Sequence, residues 1–142
     1  MTDFELTSPD FEPGGEIPRR HTCDGEDVAV ALSWAGAPAG TAEFALVMDD
    51  PDARGFVHWL VVGIPASATE LAGDPLPPGA REGRNDFRRQ GYGGPCPPSG
   101  SHRYVFTLYA LREPLAVTGV PTADEVRRAG RDALGQATLT GT

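Results

Sequence analysis

Apolar residues in this chain fall into short runs separated by closely spaced turn residues. The runs are Val28 to Trp34, Glu43 to Met48, Val57 to Val62, Arg103 to Leu111, a shorter one near Ala137 to Thr140, and Phe4 to Leu6. Each has the length of a β-strand, and the 14 prolines and 18 glycines between them leave little room for long helices. Trp59-Leu60-Val61-Val62 and Tyr104 to Tyr109 are apolar at successive positions, so both faces of those strands need cover, as in the centre of a sheet. The pattern predicts a mainly β protein, an antiparallel sandwich, with one or two short helices. One segment has helical spacing: Thr122 and Glu125 stand three apart as in a capping box, Val126 and Ala129 to Leu134 form an apolar stripe, and Gly135 can end it. Residues 73 to 89 show neither period and read as a long surface loop.

A chain of 142 residues is the size of one domain, and residues 1–142 are expected to fold as a single unit. The opening residues Met1 to Leu6 lack the basic start and apolar stretch of a secretory signal. No run approaches the roughly 18 apolar residues of a membrane span. Cytoplasmic location without stable membrane insertion is therefore expected. The net charge of -8, with every basic residue an arginine, opposes binding to nucleic acid phosphates. Two cysteines, Cys23 and Cys96, are too few for a disulfide framework. They read foremost as small buried filler, with a single bridge or a reactive thiol as the other readings.

Candidate chemistry gathers at two junctions between a rigid turn and an apolar run. In Asp50-Pro51-Asp52 the proline keeps the preceding residue extended, which restricts the direction of the Asp50 carboxylate. His58 opens the next run, and strict alternation would place it on one face with Leu60 and Val62, opposite Val57, Trp59 and Val61. His102 and Tyr104 are two apart at the start of a strand, so an imidazole and a phenol share a face, while Arg103 points away. Pro95, Pro97 and Pro98 stiffen the loop before them, and the amides of Gly91 to Gly94 could turn inward as an anion nest. A metal site of two histidines and one aspartate lacks ligand pairs at helical spacing, and Ser99 and Ser101 lack a Gly-x-Ser-x-Gly elbow. No cofactor and no metal are expected.

Taken together, Asp50-Pro51-Asp52-Ala53, Val57-His58-Trp59 and the segment Gly91 to Phe106 resemble the phosphatidylethanolamine-binding protein family, in its bacterial Raf kinase inhibitor-like branch. His21-Thr22-Cys23-Asp24-Gly25, Leu32-Ser33-Trp34 and Gly63-Ile64-Pro65-Ala66 add to the likeness. The resemblance implies a Greek-key sandwich with a small anion pocket at one end, built from Asp50, His58, the Gly94 and Pro95 backbone, His102 and Tyr104. It implies a non-catalytic binding or regulatory role toward a phosphorylated small molecule or phosphate-like anion, a kinase or protease as protein target, and a homodimer. Inhibition through the loop around Pro75 to Pro78, and hydrolysis of phosphate or acyl esters, are the alternatives. One departure is Ala29-Val30-Ala31, which stands where the branch often has a Ser-Pro-Pro-like stretch and so alters a strand entrance.

Overall fold

The computed structural model describes residues 3–73, 75–96 and 101–142. Two antiparallel sheets face each other. The smaller holds β1 (Glu5–Thr7), β2 (Leu32–Ala35) and β5 (Glu70–Leu71) in the order β1-β2-β5. The larger holds β3 (Glu43–Asp50), β4 (Phe56–Pro65), β6 (Arg81–Glu82), β7 (Tyr104–Leu111) and β8 (Gly135–Gly141) in the order β6-β4-β3-β7-β8. The long connection from β4 to β7 passes over β3 and sets β7 on its far side, the over-and-back path of a Greek key.

The two-sided apolar runs become the centre of the larger sheet, with a different layer on each face. Phe44, Leu46, Met48, Trp59, Val61, Phe106 and Leu108 pack between the sheets against Leu6, Leu32, Trp34 and Leu71. Ala45, Val47, Leu60, Val62 and Leu111 form the other face and bury Ala123 and Val126 of the helix α1 (Ala123–Gly130). Thr122 caps that helix: its hydroxyl accepts from the Glu125 amide, and Glu125 reaches back to the Thr122 amide.

Several elements differ from expectation for visible reasons. The run from Val28 joins the ladder only at Leu32. Before that point the Ser8 hydroxyl donates to the Ala31 carbonyl and the Asp10 carboxylate accepts from the Ala31 amide, so side chains replace a partner strand. The helix stops at Gly130 and not at Gly135, because the Leu134 amide donates to the Ala110 carbonyl and draws the chain into β8. The loop of residues 73 to 89 contains β6 and a bridge between Arg84 and Gln90.

Strict alternation also fails in β4. Met48 pairs with Trp59 but Asp49 pairs with Val57, which leaves His58 as an extra residue, a β-bulge. Beyond it the alternation is inverted, so Val57 joins Leu60 and Val62 on the helix face, while His58 turns toward Tyr104 on the inter-sheet face. A second shift lies between Phe44 and Leu46, opposite Gly63, whose φ of 68° and close approach to the Gly79 carbonyl admit no side chain.

Cys23 and Cys96 form a disulfide with Cα atoms 5.4 Å apart, and both residues are exposed. The reading of small buried filler is thereby corrected: the bridge ties the turn after His21 to the loop before β7. Pro97 and Pro98, read as stiffening the loop, and Ser99, weighed as a nucleophile and set aside, lie outside the described residues.

Candidate functional site

The site forms where β3, β4 and β7 end together. Asp50 closes β3 in extended geometry, φ -117° and ψ 98°, as the residue before a proline must. Its Oδ1 accepts from the Asp52 amide at 2.9 Å, which fixes the carboxylate, and its Oδ2 accepts from His102 Nδ1 at 2.6 Å. Asp50 is 3% exposed, so a carboxylate is held at the base of the site and orients one imidazole. His102 then presents Nε2 outward. Its ring stacks on Tyr104 with centroids 6.5 Å apart.

His58 is oriented by backbone instead. Its Nδ1 lies 2.7 Å from the Gly93 carbonyl, which can only accept, so Nδ1 carries the proton. Phe56, Phe87 and Tyr104 meet the imidazole edge-on at 5.1, 5.4 and 5.3 Å between centroids. Burial pushes the His58 imidazole below its ordinary value of 6.5, with the Gly93 hydrogen bond and the Asp50 charge pulling against it. The Tyr104 hydroxyl is pushed up to about 12 by burial and by the Asp50 and Asp52 carboxylates. It is fully buried without a hydrogen-bond partner.

Asp50, Ala53, Phe56, His58, Phe87, Cys96, His102 and Tyr104 line a cavity of about 180 Å³. An adjoining hollow of about 290 Å³ shares His102 and Tyr104 and takes in Pro95, Thr22 and Glu16. Four of the residues predicted from sequence thus surround the cavity, Pro95 borders its neighbour, and Gly94 lines neither. The glycine amides do not form a nest, which corrects that expectation. Gly91 N donates to the Gly83 carbonyl, Gly93 N to the His58 carbonyl and Gly94 N to Asp27 Oδ1.

Arg103, just before β7, lines no part of the cavity and grips Asp52. Its amide and Nε donate to Asp52 Oδ2 at 2.8 and 3.3 Å and Nη2 donates to Oδ1 at 3.0 Å. Those bonds, the side-chain ones first, hold the Asp52 carboxyl down to about 2. No arginine lines the cavity among the described residues, so an anion there would be met by hydrogen bonds. A larger hollow of about 460 Å³ on the helix face is bordered by Arg84, Arg88 and Arg127, with Asp86 and Asp124 among them. None of its lining residues carries a buried polar side-chain atom without a partner. Among the described residues, no three histidine, cysteine or acidic side chains gather to hold a metal.

Phe56, Phe87, Cys96 and Asp27 were missed from the sequence. Phe56 carried a signal, since it stands two residues before His58. Phe87 sits in the aperiodic loop, and nothing local marks Asp27.

His58 has a consequence for stability. Between its depressed folded value and 6.5 the unfolded chain binds more protons than the folded one, so stability rises with pH in that window. The contribution is full above 6.5 and is lost as pH falls toward the folded value. Denaturant unfolding from about pH 5 to about pH 7.5 should show a positive slope that flattens in His58→Asn. Equal slopes in the two proteins would exclude this role.

The comparisons with known proteins agree with the two-sheet fold. Residues 7–142 match the family model described as phosphatidylethanolamine-binding protein. A UPF0098 protein of Aquifex aeolicus is 47% identical over 76% of this chain and 68% of its own length. LppC of Mycobacterium tuberculosis, named as a lipoprotein, is 46% identical over 96% of this chain and 70% of its own. The crystal structure of Escherichia coli YbcL, described as a member of the mammalian PEBP family, superposes with a TM-score of 0.89 at 34% identity, over 99% of this chain and 97% of that one. With residues 7–142 matching the family model and a two-sheet fold shared with YbcL, this chain belongs to the phosphatidylethanolamine-binding protein family.

Proposed function

We propose that this chain is a non-catalytic binding protein of the Raf kinase inhibitor-like kind, whose cavity takes phosphate or the phosphoryl group of a small molecule or protein segment. One observation carries the reading: the Tyr104 ring packs against both imidazoles, and its buried hydroxyl has no hydrogen-bond partner. A buried hydroxyl left unpaired costs about 1–3 kcal/mol, and a ligand oxygen removes that cost. Asp50 fixes His102 so that Nε2 serves the same oxygen cluster, and the rigid frame loses little entropy on binding. Among the described residues that line the cavity there is no serine, no threonine and no free thiol, since Cys96 is bridged, and this supports binding over acyl or phosphoryl transfer.

Among the described residues no helix is long and apolar enough to cross a membrane. The bridge supports an oxidising compartment in place of the cytoplasm expected from the opening residues. The naming of LppC as a lipoprotein points the same way for that relative.

The test is a titration of the protein with inorganic phosphate followed through the His58 and His102 ring signals by NMR, with His102→Ala as control. Saturable shifts at both rings in the wild type, lost in the variant, are expected. Rings that stay still at saturating phosphate would remove the anion site and favour a loop-borne inhibitor.

A further inference from the structure

We infer that Asp27 is a positioning residue for this cavity, holding His58 so that it selects an oxyanion that carries its own proton; this rests on the anion reading above. The connection runs through a single peptide group. Its N–H belongs to Gly94 and donates to Asp27 Oδ1 at 2.8 Å, while its C=O belongs to Gly93 and accepts from His58 Nδ1 at 2.7 Å. A carboxylate on the N–H end polarises the amide and strengthens the carbonyl as an acceptor. The proton of a neutral His58 is thereby kept on Nδ1, and Nε2 presents a lone pair to the cavity that the ring lines.

Asp27 itself lines neither the cavity nor the adjoining hollow. Its backbone sits at φ 58°, a left-handed conformation that few side chains tolerate. That strain is held by three groups: the Gly94 amide on one oxygen, Arg89 3.9 Å from the other, and the neighbouring Val28 amide on the Arg20 carbonyl. Asp27 thus stands behind the cavity wall and acts on His58 without touching a ligand.

The ligand class follows from what faces it. His102 Nε2, when protonated, and the Tyr104 hydroxyl can donate, while His58 Nε2 can only accept. A dihydrogen phosphate or phosphomonoester monoanion matches that set, since its P–OH donates to His58 and its bare oxygens accept from the other two. Sulfate has the same size and shape but no proton, so it would set an oxygen against the His58 lone pair and a second negative charge near Asp50.

The experiment combines the tautomer of His58, read from its ring nitrogen shifts in the ¹⁵N-histidine-labelled protein, with phosphate and sulfate titrations at about pH 6, where phosphate is mainly the monoanion. The wild type should show protonated Nδ1 and bare Nε2, and should prefer phosphate by about tenfold or more. Asp27→Ala should mix the tautomers and weaken phosphate binding by about tenfold, whereas Asp27→Asn, which keeps an acceptor oxygen, should stay within about threefold. A wild type with the proton on Nε2, or an unchanged tautomer in Asp27→Ala, overturns the role of Asp27. Equal affinity for phosphate and sulfate overturns the selectivity. A wild type that binds neither anion while Asp27→Ala still mixes the tautomers retires the anion reading and leaves the Asp27 assignment standing.

Discussion

Gly94→Ala is expected to destabilise the protein by about 3 kcal/mol and to abolish phosphate binding. A Cβ at this position would fall inside contact distance of the His21 carbonyl oxygen and the Asp27 carboxylate. Neither neighbour is free to retreat. The His21 carbonyl accepts from the Tyr92 hydroxyl at 2.7 Å, and the His21 ring is 1% exposed with Nδ1 donating to the Val28 carbonyl at 2.8 Å. Asp27 is held by the bond that the new methyl would break. Relief must come from rotation of the Gly93–Gly94 peptide, which removes the acceptor that orients His58. Stability and binding should therefore fall together, and denaturant unfolding with phosphate titration of the same variant measures both. A variant within about 1 kcal/mol of wild type that still binds phosphate would mean that the two loops slide apart freely, contrary to their bonding here.

How far the sequence could be read follows from the range of the forces involved. The central strands were legible because burial on two faces writes a continuous apolar run, and no other element demands one at that length. His102 and Tyr104 were legible because they flank the start of a strand, where extended backbone two residues apart keeps a shared face, although β7 itself begins only at Tyr104. His58 was placed in the right region and on the wrong face, because a bulge is set by how β4 fits β3 and not by the composition of β4 itself. The glycine amides were misread for a similar reason. Their composition permits a nest, but Asp27, His58 and Gly83 consume the donors from distant positions in the chain. The two-residue strands β5 and β6 have too few positions to show a period, and Leu71, which is 1% exposed, enters the core as a single apolar residue in a polar setting. Phe87 reaches the cavity because buried Asn85 shapes its loop, donating to the Gly91 carbonyl and accepting from the Phe87 and Arg89 amides. Nothing near residue 87 announces that arrangement.

Removing the disulfide, as Cys23→Ala with Cys96→Ala, should lower stability by about 4 kcal/mol while changing phosphate affinity by less than about threefold. The two effects separate because they act on different states. The bridge joins residues 73 apart in sequence, so its loss frees a long loop in the unfolded chain. In the folded state the same two segments are joined by three further contacts. Cys23 N donates to the Pro95 carbonyl at 3.1 Å, the Tyr92 hydroxyl to the His21 carbonyl, and the Gly94 amide to Asp27. Cys96 contributes one face of the cavity, which a methyl group can still supply. Against a total stability of about 5–15 kcal/mol, the loss is large enough to bring the chain near its unfolding threshold. Reductant added to the wild type should reproduce it. Urea midpoints of the wild type, the reduced wild type and the double variant, each with and without saturating phosphate, give both numbers. A stability loss near zero would show that the unfolded chain already holds these loops together. A collapse of affinity at modest stability loss would show instead that the bridge, and not the three hydrogen bonds, keeps the cavity wall in place.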